Sequence, residues 1–386
     1  MKAPIHIIGA GPAGLTAGIV AAGAGIRVIV HERQAQVGHR FHGDFQGIEN
    51  WTTRGDVLDE LAMLGIDPSF EVAPFREAVF FDPEGRQYCC KSESPLFYLV
   101  RRGPRPGTLD DTLRRQAEAL GVRIVYNDPQ QHLPGGGIVA AGPQRAPAIA
   151  VGYLFDTDAA DGAYAVAADS LAPKGYGYLL VHQGRGTVAS CIFSDFHQEQ
   201  EYLKRTVAFF RRHVGVKLVN PSRFGGHANA YLLPASRKGN MLYVGEAAGF
   251  QDALFGFGMR FAMVSGALAA GAWLDGDPGL YDRLWKPRLR GLLRVGLVNR
   301  FLFERLGDAG YTRHMPGVAR NRDGRSFLRG HYAPTWWKSA LFHLVRPALR
   351  KRIEAPPTMT EGCDCTFCRC ARQIHGAAAS PSGTGS

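Results

Sequence analysis

No apolar run in this sequence reaches the roughly 20 residues that a bilayer-crossing helix needs, so no membrane span is expected. There is also no cysteine framework. Seven cysteines serve 386 residues, and four of them crowd into 363–370, which does not suit a disulfide-stabilised fold of this size. No recognised nucleic-acid module occurs, so nucleic acid is not an expected partner. A net charge, too, is nearly missing from most of the chain. The formal net charge is +11, yet residues 283–352 alone hold 17 Lys and Arg against 3 Asp and Glu. That basic segment suits an anionic membrane surface, a phosphorylated substrate or an acidic partner. Lys2 and the apolar run behind it mimic a signal peptide, but cleavage there would destroy a glycine fingerprint. The expected location is therefore cytoplasmic, with the basic region available for peripheral contact with the inner membrane. A hydrophobic share of 45% and a charged share of 20% are those of an ordinary globular chain, long enough for two domains or one elaborated domain.

What is present begins at residue 5. Ile5-His6-Ile7-Ile8 reads as a short buried strand. Gly9-Ala10-Gly11-Pro12-Ala13-Gly14 follows, then an Ala/Gly-rich helix to about Gly23 and a second strand over Arg27 to His31. Glu32 closes that strand, 18 residues after Gly14. A GxGxxG between strand and helix, with an acid ending the next strand, is the signature of a dinucleotide site. The first glycine permits the tight turn, the second lets backbone approach a pyrophosphate, and the third lets helix and strand pack closely. The helix start, with Pro12 and Ala13, offers unpaired N–H groups to the phosphates. Glu32 is placed to accept hydrogen bonds from ribose hydroxyls. By itself this unit serves NAD as well as FAD.

Beyond it lies a loop, Val37-Gly38-His39-Arg40-Phe41-His42-Gly43-Asp44, beside the cofactor strand. Arg33 and Arg40 are cofactor-binding candidates, Arg40 through a phosphate. His42 and Asp44 are candidate proton donors facing the reactive ring. Residues 55–65 read as a helix. Ala78 to Phe81 and Gln87 to Cys89 read as a hairpin turning at Asp82-Pro83-Glu84-Gly85. Cys89 and Cys90 read as structural thiols. A strand over Leu96 to Val100 leads to Arg102, a further cofactor candidate. Thr108 starts a helix to Leu120 with Leu109, Leu113 and Ala117 at helical spacing, and strands follow at Val122 to Tyr126 and Gly137 to Ala141. From Ala148 to Phe193 the chain is strand-rich, as in an antiparallel sheet, with Asp161-Gly162 as a hairpin turn. A helix over Glu199 to His213 and a strand pair around Arg223 to Leu232 complete this region.

A second glycine element follows the strand Met241 to Val244. It reads Gly245-Glu246-Ala247-Ala248-Gly249, then Gly256-Phe257-Gly258-Met259, opening a small-residue helix. The stretch GEAAGFQDALFGFGMRFAMVSGALAA resembles the GDAAG…GxGI…SG..AA pattern of geranylgeranyl reductase-type flavoproteins, within the para-hydroxybenzoate hydroxylase-like FAD superfamily. The resemblance covers roughly residues 1–275. It differs at Glu246, where the family has Asp, and at Ala253, where the family has Pro. The family's Tyr-x-Trp-x-Phe-Pro element stands as Tyr176-Gly177-Tyr178-Leu179-Leu180-Val181, making Tyr176, Tyr178 and Leu180 substrate-contact candidates. The resemblance implies FAD, with Gly245, Glu246, Gly256, Gly258 and Met259 around it. A carboxylate after a buried strand suits a ribityl hydroxyl, and a helix N-terminus suits negative charge on the flavin pyrimidine.

The resemblance implies an α/β fold: a Rossmann-like three-layer FAD-binding domain (1–75, 100–147, 236–280) with an inserted antiparallel β-sheet substrate domain (76–99, 148–235). A basic helical region (281–355) and a Cys-rich tail (356–386) follow. It implies reduction of a carbon–carbon double bond in an isoprenoid or other apolar lipid-like substrate by hydride from reduced FAD. An FAD monooxygenase and a non-enzymatic flavin electron carrier are the alternatives. No second dinucleotide fingerprint is present, so electrons would come from transiently bound NAD(P)H or from a donor protein. Residues 331–353 set Trp336-Trp337 and several aliphatics beside Arg346 and Arg350-Lys351-Arg352, the make-up of an interfacial helix. Cys363, Cys365, Cys368 and Cys370, with His375 nearby, form C-x-C-x-x-C-x-C. Such a cluster suits zinc, an iron–sulfur cluster or a redox-active dithiol.

Overall fold

The computed structural model describes residues 3–143, 147–228, 236–354, 362–370 and 372. The N-terminal part runs β1 (Ile5–Ile8), α1 (Pro12–Gly23), β2 (Val28–His31), β3 (Phe45–Glu49), α2 (Val57–Met63) and β4 (Val72–Phe75). Next come β5 (Glu77–Phe81), β6 (Gln87–Lys91), β7 (Phe97–Arg101), α3 (Leu109–Ala119), β8 (Arg123–Val125) and β9 (Gly137–Val139). The middle holds β10 (Ala148–Asp156), β11 (Gly162–Val166), β12 (Tyr176–His182), β13 (Arg185–Ile192), α4 (Glu199–Val214) and β14 (Val219–Ala228). The chain then makes β15 (Arg237–Lys238), β16 (Met241–Tyr243), α5 (Met259–Leu274), α6 (Pro278–Trp285), α7 (Gly291–His314), α8 (Pro316–Ala319), α9 (Gly324–Tyr332) and α10 (Trp336–Glu354).

Three sheets organise these elements. A six-stranded sheet has the order β15-β16-β9-β1-β2-β8, parallel except at the β15 edge. Its inner strands are short, mainly apolar runs, as sheets covered by helices require. A three-stranded antiparallel sheet, β3-β7-β4, faces it across α1 and α5. Ile7, Leu15, Met263, Ile48 and Val100 share one core, so the helices form the middle of three layers. Small residues make this possible. A Cβ on Gly266 would come within 2.2 Å of the Ala13 carbonyl oxygen, so α5 and α1 touch backbone to backbone there.

The third sheet has the order β14-β10-β13-β12-β11-β5-β6 and is antiparallel except between β11 and β5. α4 covers one face with Leu203, Val207 and Phe210. One sequence expectation fails here. Asp161-Gly162 is not a hairpin turn, because β10 and β11 are separated by β13 and β12. The Asp161 carboxylate instead accepts from Gln183 N at 2.7 Å and meets His182 Nδ1 at 2.6 Å. It braces the true hairpin at Gln183-Gly184, where both residues have positive φ. The strand pair expected up to Leu232 is described only through β14, and its second half lies outside the described residues.

The C-terminal helices fold back over these sheets. A short π-helical stretch, Lys286–Arg290, joins α6 to α7, and Gly307 breaks α7 with φ 56° and ψ −175°. α10 buries Phe342, Val345 and Leu349 and leaves Trp336 (84% exposed) and Leu344 (77%) outside. Among the described residues no helix is long and apolar enough to cross a membrane.

Candidate active site

A cavity of about 1220 Å³ runs between the sheets. At one end it is walled by Gly9, Gly11, Pro12 and Ala13 of the first glycine turn. Gly14 is not on the wall but beneath it. A Cβ there would sit 2.0 Å from the Gly9 carbonyl oxygen, so only glycine lets α1 start this close to β1. At Gly11 a Cβ would meet nothing within 4 Å, so the turn is open on that side. No side chain caps the N-terminus of α1. Its unpaired N–H groups and dipole therefore favour an anion. Glu32 lines the cavity and holds the turn in shape. Its Oε2 accepts from Ala10 N at 2.7 Å and its Oε1 from Gln34 N at 2.9 Å. A carboxylate has lone pairs left for ribose hydroxyls after two such bonds. Arg33 is exposed at the rim.

Midway, Glu246, Gly256, Gly258 and Met259 reach the wall. Gly245 does not; its N–H is buried against Ser265 Oγ at 2.9 Å. The N-terminus of α5 at Gly258 also lacks a side-chain cap. Two uncapped helix starts thus face one cavity. Arg40 does not stand alone for a phosphate. Its Nη1 bonds Glu246 Oε2 at 3.3 Å and its Nη2 the His227 carbonyl at 3.0 Å. Arg102 is buried, with Nε and Nη2 each 2.8 Å from the Asp110 carboxylate and Nη1 3.1 Å from Gln46. It lines the cavity as a tied strut over the Phe41 ring.

The far end is aromatic and apolar. Tyr176, Tyr178 and Leu180 alternate along β12 and share the face that lines the cavity. Tyr176 donates to the Phe255 carbonyl at 2.6 Å, so it also fixes the loop before Gly256. Burial raises the hydroxyl pKa of both tyrosines well above the ordinary value. Phe80, Phe97, Trp51 and Phe257 continue this wall, and Phe303, Tyr311 and Met315 of the C-terminal helices close it.

The two proton-donor candidates part company. Asp44 is buried on the cavity wall, accepts from His42 N at 3.1 Å and Gln46 Nε2 at 2.8 Å, and has its pKa raised, chiefly by burial. His42 is exposed and off the wall, since the turn that puts its backbone on Asp44 points its ring outward; the expectation for His42 is corrected. The cysteine set is also corrected. Cys363, Cys365 and Cys368 converge, but Cys370 is buried outside the group and His197 stands in its place. His375 lies outside the described residues.

Sequence reasoning missed several wall residues. Trp51 Nε1, His227 Nε2 and Gln251 Oε1 are buried, line the cavity and have no hydrogen-bond partner among the described residues. Such atoms call for a polar ligand or water. Cys191 lies on the wall as a thiol, burial pushing its pKa up to about 12. None of these carries a motif; only the sheet register brings them inward. Asp252, just behind the wall, had a signal in its place between the two glycine pairs. It is buried, accepts from Leu254 N, Phe255 N and Tyr332 Oη, and is pushed up to about 6 by burial.

No family model matches the chain, and no curated protein matches it. Solved structures do. A geranylgeranyl bacteriochlorophyll reductase-like protein from Thermoplasma acidophilum superposes with TM-score 0.68 at 18% identity, covering 91% of this chain and 98% of the other. The flavin-dependent brominase Bmp2 gives 0.62 at 14% identity, covering 91% and 100%. OxyS anhydrotetracycline hydroxylase from Streptomyces rimosus gives 0.54 at 19%, covering 86% and 76%. The fold is therefore shared with reductase-like, brominating and hydroxylating proteins alike. The donor set fits FAD: two uncapped helix starts, an acid beside the first and, among the described residues, unpartnered polar atoms on the cavity wall.

Proposed function

We propose that this protein is an FAD-dependent oxidoreductase that reduces carbon–carbon double bonds of an isoprenoid or similarly apolar lipid-like substrate. The observation that carries this reading is the single cavity with two unlike ends. One end offers backbone N–H groups and Glu32; the other is aromatic and aliphatic. Its volume of about 1220 Å³ exceeds the ~300–1,000 Å³ usual for one small-molecule site, leaving room for a substrate beside a cofactor. When bound, the reduced flavin would supply a hydride to one carbon of the double bond. Asp44 would give the proton to the other carbon, its raised pKa favouring the protonated state. Tyr176, Tyr178 and Leu180 would hold the chain, and the apolar wall would exclude water. NAD(P)H or a donor protein would return the electrons.

The brominase and hydroxylase likenesses favour a second reading, an FAD monooxygenase acting on an apolar molecule. One experiment separates them. The purified protein is reduced without oxygen and given prenyl-chain substrates, and products are read by mass spectrometry. Reduced product forming anaerobically supports the reductase. Product that forms only with oxygen and gains an oxygen atom overturns it. Protein that reduces a partner but no small molecule would point to an electron carrier. Peripheral membrane contact belongs to the same proposal, since α10 sets Trp336 and Leu344 outside beside Arg346 and Arg350. Sedimentation with anionic but not zwitterionic vesicles tests it.

A further inference from the structure

Sequence spacing groups four tail cysteines, but space groups differently. The ligand atoms of His197, Cys363, Cys365 and Cys368 all lie within 4.8 Å of one another. His197 Nδ1 is 3.5 Å from Cys363 Sγ and 3.6 Å from Cys365 Sγ. Metal–ligand lengths of about 2.3 Å for sulfur and 2.0–2.1 Å for nitrogen place tetrahedral ligand atoms about 3.8 Å (S to S) and 3.5 Å (S to N) apart. The two S–N distances match this spacing, and the 4.8 Å bound on the remaining pairs leaves all four groups within reach of one ion. In an iron–sulfur cluster the four ligands are divided over two or four irons, which holds ligands on different irons farther apart.

The surroundings fix the four side chains without any ion. Phe367 stacks on Phe196, the neighbour of His197, with centroids 4.8 Å apart and planes 14° from parallel. Thr366 donates through N at 2.8 Å and Oγ1 at 2.9 Å to Glu199, which Arg223 of β14 also holds at 2.8 Å. Cys368 N points at Cys365 Sγ at 3.5 Å, which orients that sulfur. Outer-shell bonds of this kind orient metal ligands. Cys370 has another place: it is buried, with the Arg40 and Arg369 charges near it.

We propose that His197, Cys363, Cys365 and Cys368 form a mononuclear zinc site that clips the C-terminal segment to the seven-stranded sheet. Four protein ligands close the coordination sphere, so the ion is structural and leaves no open position for catalysis. The clip stands behind β14, whose Phe224, Gly225, Gly226 and His227 line the large cavity. It stabilises that wall from outside and requires no flavin.

The test is metal content of the full chain, purified under reducing conditions, by plasma mass spectrometry with acid-labile sulfide measured alongside. One zinc per chain and no sulfide are expected. Cobalt(II) should replace it with the visible bands of a tetrahedral thiolate site. His197→Ala changes an exposed side chain and should fold; it and Cys365→Ser should each lower zinc affinity roughly tenfold or more. Cys370→Ser should keep full zinc. Equal loss in Cys370→Ser would overturn the ligand set. Iron with sulfide would overturn the mononuclear site. Wild-type protein that takes up no added zinc while its thiols stay reduced would overturn the site altogether. Flavin content of the same samples is read separately, so failure of one assignment does not pass for failure of the other.

Discussion

Asp44, buried, and His227, half-buried, are titratable groups lining one cavity, with opposite shifts. Asp44 is raised by burial and lies beside Tyr178 and Gln46, where the proposed reaction would use it as proton donor. Asp44→Asn keeps the shape and removes the proton. Turnover of an apolar substrate should fall roughly 10²–10⁴-fold, as for loss of a general acid, with flavin absorbance per chain unchanged. Unaltered turnover would remove Asp44 from the reaction. His227 is lowered to about 4, first by burial and then by the Arg40 and Arg33 charges. The unfolded chain therefore binds this proton before the folded one does. The stability it contributes is present above pH ~6.5 and lost as pH falls through about 4. Thermal melts of wild type and His227→Phe between pH 7 and 4 should show a shallower decline in the variant, by up to roughly 3 kcal/mol across that window. Parallel curves would mean that His227 protonates freely in the fold.

At the scale of elements, the first turn of α5 depends on one buried cation. Arg260 bonds Glu60 at 2.5 and 3.1 Å, Glu49 of β3 at 3.2 Å and Thr52 at 2.8 Å. It ties α5 to α2 and to the three-stranded sheet, and so sets where the uncapped start of α5 meets the cavity. Arg260→Met leaves Glu49, 2% exposed, without its cation. Breaking one side of a buried pair costs about 3–5 kcal/mol, and a second change, Glu49→Met, should return much of it. Denaturant midpoints of the single and double variants check this; additive losses would mean the two charges do not couple.

The same scale shows what was legible. β1, α1 and β2 could be read because GxGxxG is a code written in backbone space, and Gly14 against Gly9 is its physical content. The Gly245–Met259 element was legible for the same reason. Asp161-Gly162 misled because a turn dipeptide does not name its partner strands. His197 was invisible as a ligand since it lies 166 residues from Cys363, and only the packing of Phe367 on Phe196 brings them together. His42 and Asp44, two residues apart, differ by the direction of one turn, which composition does not record.

At the scale of the molecule, the cavity is built by all parts of the chain, which makes its two ends separable. The end proposed for the cofactor phosphates belongs to the parallel sheet and α1. The apolar end lies between the seven-stranded sheet and the C-terminal helices, with Phe303, Leu306, Tyr311 and Val318 opposite Ala163, Ala165, Tyr178 and Leu180. Small residues at 163 and 165 on β11 hold that chamber open. A large ring at 165 should fill it without reaching α1 or α5. Ala165→Trp is expected to retain flavin and to lose roughly tenfold or more in kcat/KM for a long prenyl substrate, through KM, while a short alkene is affected less. Loss of each methylene's burial, about 0.8 kcal/mol, is what would grade the effect with chain length. If the variant loses long and short substrates alike, the chamber is not where the chain lies, and substrate must approach the flavin from the mouth at Arg33 and Glu32.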